Sequence, residues 1–273
     1  MNIIILTSSV KGMAAHTLPR LFNESSIKIT MVVFNEGEII NKKKYYLKKI
    51  KKIFKIGLLG ALNGIKMRKW FSRDTDFLFP DIDLETFCLQ NNIPFERTPS
   101  INCDNTRRIF RNSNASIGIS LGNSYISESV FSICPLGMIN IHGEILPDYQ
   151  NAQSIIWQLY NGSSKTGYTI HKINKKIDDG DILYQEVFPI VFKNNLANTV
   201  SYNCAQITKK ACQGLIKVLK DFNYYNLNST KQIYCKSYTT PSWRQFKKIK
   251  KQFLELKNLS PNLTVVDGES QIN

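Results

Sequence analysis

No stretch of this chain reaches the ~18 consecutive apolar residues that a membrane-crossing helix needs, so a bilayer span is not expected. The opening residues, Met1-Asn-Ile-Ile-Ile-Leu-Thr7, carry neither a basic leader nor a small-residue cleavage site. They read as a buried strand rather than a secretion signal, and the expected location is cytoplasmic. The six cysteines (Cys88, Cys103, Cys134, Cys204, Cys212 and Cys235) include no C-x-x-C pair and form no cluster with histidine. That spacing speaks against structural zinc and against a disulfide framework. The G-x-G-x-x-G turn of a dinucleotide site is missing after the first apolar segment, where Ser8-Ser-Val-Lys-Gly12 stands instead. No aromatic or methionine stripe suggests haem or flavin.

Acidic residues are missing from one long segment. Between Lys42 and Arg73 there are twelve Lys or Arg and no Asp or Glu, within a chain of net charge +15. Residues 42–56 have helical periodicity, with Tyr46, Ile50, Ile53 and Phe54 on one face and lysines around the other. A basic aromatic patch, Lys66-Met-Arg-Lys-Trp-Phe71, follows a Gly- and Leu-rich link. The simplest expectation is a helix whose apolar face packs on the core. Peripheral membrane contact through 42–73 is an alternative, because Lys with Trp and Phe suits an anionic interface. Attraction of a phosphorylated acceptor is another.

What is present is a sizeable apolar content, 42% of 273 residues, enough to bury a substantial core. Strand and helix patterns alternate. Asn2–Thr7, 26–34, 93–97, 116–121 and Met138–His142 read as strands. Gly12–Asn23 reads as a helix, with Pro19 acceptable only near its first turn. Asp83–Asn91 reads as a helix capped by Asp83. Such alternation implies an α/β fold with a mostly parallel sheet flanked by helices, and ligands bind such sheets beyond the strand carboxyl ends. Ala197–Phe222 reads as a long amphipathic helix broken at worst near Gly214, Arg244–Leu256 as a basic helix, and 260–273 as a loose tail.

The densest chemistry lies between Met138 and Gln185. Side chains alternate along a strand, so Asn140 and His142 share a face while Ile141 points the other way. An amide N–H can hold a developing oxyanion, and an imidazole can handle a proton. A carboxylate beside that imidazole would complete a trio suited to acyl transfer. After the strand come Leu146-Pro147 and Tyr149, then Trp157, then Gly167-Tyr-Thr169-Ile-His171 and the acidic turn Asp178-Asp179-Gly180. His171 reads more simply as a structural histidine.

This order of motifs resembles the folate-dependent formyltransferase family, most of all the sugar-nucleotide N-formyltransferases. The likeness is strong from about Ile117 to Ile190. It implies a Rossmann-like sheet and a small C-terminal appendage, with residues 1–195 as the catalytic domain (42–73 a basic insertion) and 196–273 as a helix plus appendage. By that resemblance the catalytic residues are Asn140, His142 and Asp178. Leu121, Gly122, Asn123, Tyr125, Ile126 and Asp179 are the expected folate-binding residues, and Tyr149, Gln150, Asn151 and Trp157 the acceptor-binding ones. The donor would be 10-formyltetrahydrofolate, with no metal. The acceptor would be the amino group of a nucleotide-linked deoxyamino sugar, with no nucleic acid as partner; a homodimer stays open. Two departures stand beside the acceptor side: Gly143 where proline is frequent, and Gln150-Asn151 where Arg-Gly is frequent. Other acceptors (glycinamide ribonucleotide, methionyl-tRNA) and hydrolysis of the same folate remain alternatives.

Overall fold

The computed structural model describes residues 1–39, 41–78, 82–152, 154–234 and 236–260. Cys235 and nearly all of the segment read as a tail lie outside the described residues. The strands are β1 (Asn2–Thr7), β2 (Lys28–Asn35), β3 (Phe95–Thr98), β4 (Ile117–Leu121), β5 (Met138–His142), β6 (Lys165–Lys172) and β7 (Ile182–Pro189). They form one seven-stranded sheet in the order β3-β2-β1-β4-β5-β6-β7. β3 to β5 along that order are parallel, and β6 runs antiparallel to both of its neighbours. The chain order reverses between β1 and β4, which makes the strand carboxyl ends there the natural place for a ligand.

Period-two alternation divides the strands between two cores. Ile3, Ile5, Ile119, Ile139 and Ile141 face one of them. Ile4, Leu6 and Met138 face the other. The first core is covered by α1 (Met13–Phe22), α3 (Leu58–Leu78), α4 (Leu84–Gln90), α8 (Leu196–Lys220) and α10 (Trp243–Leu259). It therefore runs across residue 195, taking in Val200, Leu215 and Phe253. The second core is closed by the shorter α5 (Asp104–Asn112) and α6 (Glu128–Phe131). This lighter cover leaves the carboxyl ends of β4 and β5 open on that side. Asn140 and His142 point there, opposite to Ile141.

Local chemistry explains several boundaries. Asp83 caps α4 by accepting from the Thr86 backbone N–H at 2.7 Å. Ser242 and Gln245 form a reciprocal capping box at the start of α10. α8 runs unbroken past Gly214, because that position is a close contact rather than a break. A side chain there would overlap the buried Tyr168 ring. Pro19 lies well inside α1, past its first turn. The helix tolerates it because only three more residues follow, so the lost N–H costs one bond near the end.

The insertion departs from its simplest expectation. α2 (Lys42–Ile56) is helical, and Asn41 caps it by accepting from Lys44. Its apolar face is not packed on the core: Tyr46, Leu47, Ile50, Ile53 and Phe54 are exposed, Phe54 at 86%. Ile56 is the buried residue of this helix. α3 is the anchored half of the pair, packing on α8 and α10 with Met67 buried and Trp70 and Phe71 against the core.

Candidate functional site

Asn140 and His142 reach the open end of the sheet because β5 is short and ends at His142. β6 returns antiparallel beside it and sets Asn140 opposite His171 and His142 opposite Thr169. Asp178 arrives from the turn between β6 and β7. Its Oδ2 lies 3.6 Å from His142 Nδ1 and its Oδ1 lies 3.7 Å from His171 Nε2. The three residues expected to act together are therefore brought together, with His171 as a fourth member.

The turn that carries Asp178 is held tightly. Asp178 has a left-handed backbone, φ 52°, a conformation uncommon for a residue other than glycine. Gln150 Nε2 donates to its carbonyl at 2.9 Å, and Gln232 Nε2 at 3.1 Å. The Asn151 backbone N–H donates to its Oδ2 at 3.0 Å. Gly180 is obligatory, because a side chain there would overlap the Lys172 backbone. Strained backbone fixed this firmly is typical of functional corners.

Hydrogen-bond partners assign the ring tautomers. His142 Nε2 lies 2.9 Å from the Tyr149 carbonyl, which only accepts, so Nε2 carries the proton and Nδ1 faces Asp178. His171 Nδ1 likewise donates to the Lys172 carbonyl at 2.8 Å. Its Nε2 then accepts from Asn140 Nδ2 at 3.3 Å. Burial lowers the His171 pKa to about 4, against the opposing pull of Asp178, with the His142 ring adding to the lowering. A neutral His171 therefore fixes which end of the Asn140 amide is the donor. One amide hydrogen is used on His171, and the second is free to serve a ligand oxygen.

A cavity of about 360 Å³ opens in front of these groups. It is lined by Asn140, His142, His171 and Asp178 on one side and by Gly122, Asn123, Tyr125 and Ile126 on the other. Asn123 is held by donating to the Leu6 carbonyl at 2.6 Å and to Ser120 Oγ at 3.1 Å. Of the expected folate residues, Leu121 points into the core instead, so only its backbone could serve. Asp179 faces Lys176 at 3.7 Å and does not line the cavity.

The acceptor-side residues divide differently. Gln150 is committed to the Asp178 turn. Asn151 lines the cavity, and its Nδ2 also donates to the Tyr238 carbonyl at 3.0 Å. Tyr149 stacks on Tyr238 with centroids 5.7 Å apart, and Trp157 tilts over the same ring at 4.6 Å. Trp157 Nε1 donates to the Thr239 carbonyl at 3.0 Å. A second cavity, of about 480 Å³, lies beyond, and Asn151 lines both. Its walls include Trp157, Thr240, Lys49, Lys52 and Arg68. Burial, and then Arg68, lower the Lys52 ammonium below its ordinary pKa.

Sequence reading missed His171 as part of the cluster and missed the clamps from Gln232 and Tyr238. The alternation of Thr169 and His171 was the available signal, since partners across an antiparallel pair share a face. No comparable local signal marks Gln232 or Tyr238.

Residues 123–219 match the family model described as formyl transferase. The methionyl-tRNA formyltransferase of Buchnera aphidicola subsp. Baizongia pistaciae (strain Bp) is 35% identical over 131 residues, 48% of this chain and 39% of that protein. The chain thus aligns with well under half the length of this curated relative. Among solved structures, the phosphoribosylglycinamide formyltransferase from Anaplasma phagocytophilum superposes with a TM-score of 0.54 at 15% identity, covering 81% of this chain and 87% of that one. An N-formyltransferase from Helicobacter canadensis, in complex with folinic acid and dTDP-3-aminofucose, does so with a TM-score of 0.54 at 15% identity, covering 97% and 84%. By family match, aligned relative and shared fold, this chain is similar to the folate-dependent formyltransferases, with sugar N-formyltransferases among its structural neighbours.

Proposed function

We propose that this chain is an N-formyltransferase that moves the formyl group of 10-formyltetrahydrofolate to the amino group of a nucleotide-linked deoxyamino sugar. The observation that carries the transfer chemistry is the convergence of Asn140, His142 and Asp178 on one wall of a cavity. When bound, the donor supplies a formyl group attached to nitrogen. As an amine attacks that carbon, the free Asn140 amide hydrogen meets the oxygen that gains charge. His142 Nδ1, on the Asp178 side, is the ring nitrogen open to the amine proton, because Nε2 is engaged by Tyr149. Asp178 stabilises the imidazolium that results, and the same proton passes to the folate nitrogen as its bond to the formyl carbon breaks, releasing tetrahydrofolate and the formylated amine. The donor lies along Gly122, Asn123, Tyr125 and Ile126. In this reading residues 1–195 carry the chemistry, and 196–273 supply the packing helix and the Tyr238 segment.

The acceptor assignment rests on the second cavity. Lys49, Lys52 and Arg68 offer cationic groups for a diphosphate, Trp157 and Thr240 a mixed apolar and polar wall, and Asn151 a bridge to the reacting corner. Gln150 and Asn151 contribute by holding the corner, with Asn151 alone facing the cavity. A neutral sugar ring joined to an anionic carrier matches this arrangement. The Helicobacter canadensis structure, which holds dTDP-3-aminofucose, is consistent with it.

The test is an acceptor panel with 10-formyltetrahydrofolate. Nucleoside-diphosphate-linked 3-amino or 4-amino deoxysugars should be formylated, and the free amino sugars should react far more slowly. Preferred formylation of glycinamide ribonucleotide or charged initiator tRNA would replace the acceptor. Formate released without any acceptor would make the protein a hydrolase.

A further inference from the structure

The fold leaves one face of α2 uncovered. At about 100° per residue, Tyr46, Leu47, Ile50, Ile53 and Phe54 fall within an arc of about 120°. Such an arc ordinarily turns inward, yet all five are exposed. Past the corner at Gly57, Leu58, Leu59 and Leu62 of α3 are exposed as well. An apolar surface of this extent, rimmed by charge, marks an interaction site. Lys44, Lys48, Lys51 and Lys55 lie on the opposite side of the α2 wheel, and no acidic residue occurs between Lys42 and Arg73. α3 is anchored against α8 and α10, and α2 packs on α3, so the uncovered face stands on a firm base.

We propose that α2 and the first turns of α3 form a docking surface for an anionic lipid bilayer. The helix lies in the plane of the surface, with Leu47, Ile50 and Phe54 at the boundary of headgroups and acyl chains. The lysines meet the lipid phosphates. Charge complementarity selects this occupant: a basic amphipathic helix with an exposed apolar arc fits an interface that is acidic outside and apolar beneath. A second copy of the chain paired through this face would cover the apolar arc and leave the lysines unmatched, since residues 42–73 hold no acidic group. A nucleic acid would satisfy the lysines and leave the apolar arc in water. No helix among the described residues is long and apolar enough to cross a membrane, so the contact lies on the surface. The inference rests on the shape and charge of α2 and does not depend on the chemistry assigned to the Asn140 corner.

The test is co-sedimentation of the full chain with vesicles of phosphatidylcholine alone or with about a quarter phosphatidylglycerol, at low salt and at about 0.5 M salt. Binding should require the anionic lipid and fall with salt. Lys44→Gln/Lys48→Gln/Lys51→Gln and Leu47→Ser/Ile50→Ser/Phe54→Ser should each lower partitioning on the order of a hundredfold, with melting temperatures unchanged. In a Phe54→Trp variant, brominated acyl chains should quench fluorescence beyond the wild-type level. Absence of binding at low salt would overturn the proposal. So would binding that the serine variant leaves untouched, which is charge adsorption alone. A dimer broken by the serine variant without lipid binding, or salt-sensitive RNA binding without vesicle binding, would also overturn it.

Discussion

At the end of β5, polar side chains hold one another; along the outer face of α2, apolar side chains are left exposed. Asn140, His142, His171 and Asp178 are withdrawn from solvent, and their spare hydrogen-bonding groups are taken up by Tyr149, Lys172, Asn151 and Gln150. Tyr46, Ile50 and Phe54 lie on a helix of comparable regularity and stay in water. The difference separates two ways of building function. A reacting corner gathers groups that would be costly to bury singly and makes them satisfy each other, leaving one donor and one ring nitrogen free. A docking face does the reverse, withholding apolar groups from the core so that their burial is left for another surface.

Removing members of the corner should have the largest effect. Asn140→Ala and Asp178→Ala should each lower turnover about a hundredfold or more, the scale for losing an oxyanion donor or a charge partner. Circular dichroism should report an unchanged fold for Asn140→Ala, because this side chain faces the cavity. The Asp178 change also frees the Asn151 N–H, so a modest fall in melting temperature should accompany it.

His171 sharpens the comparison from inside the corner. His171→Ala should lower kcat tenfold to a hundredfold with little change in KM for the acceptor, because the Asn140 amide loses the partner that orients it. Burial also sets a pH dependence. His171 and His16 are both pushed down to about 4 in the folded protein, each mainly by burial. The unfolded chain, with histidine near 6.5, binds more protons between those values, so stability is complete above about pH 6.5 and falls as pH drops toward 4. Chemical denaturation across that window should show the slope, and His171→Gln should reduce it.

The smallest effect should come from α2. Phe54→Ser should change unfolding free energy by no more than about 0.5 kcal/mol, as for an exposed position. Ile139→Ala, in the centre of the sheet, should cost about 2–5 kcal/mol. A comparable loss at Phe54 would mean that its face is covered within the fold.

The same contrast explains what could be read from the chain. Alternation along Met138–His142 placed Asn140 and His142 on one face and Ile141 on the other, because strand periodicity is local. The sheet, α4 with its Asp83 cap and the two long C-terminal helices were legible for the same reason. The role of His171 was not, because it depends on the register of β6 against β5, set by residues far apart in sequence. The hold of Gln150 and Gln232 on the Asp178 carbonyl was hidden likewise. For α2, periodicity revealed an apolar face but not what would cover it. Gly214 read at worst as a break in one long helix, because its reason, the Tyr168 ring, lies on a distant strand.

The most direct measurement is the turnover of a folded His142→Ala variant with 10-formyltetrahydrofolate and a nucleotide-linked amino sugar, beside wild type and with melting temperatures taken on both. Turnover should fall about a hundredfold or more while the variant stays folded. A folded His142→Ala protein with near wild-type turnover would show that the Asn140–His142–Asp178 corner is not where formyl transfer takes place.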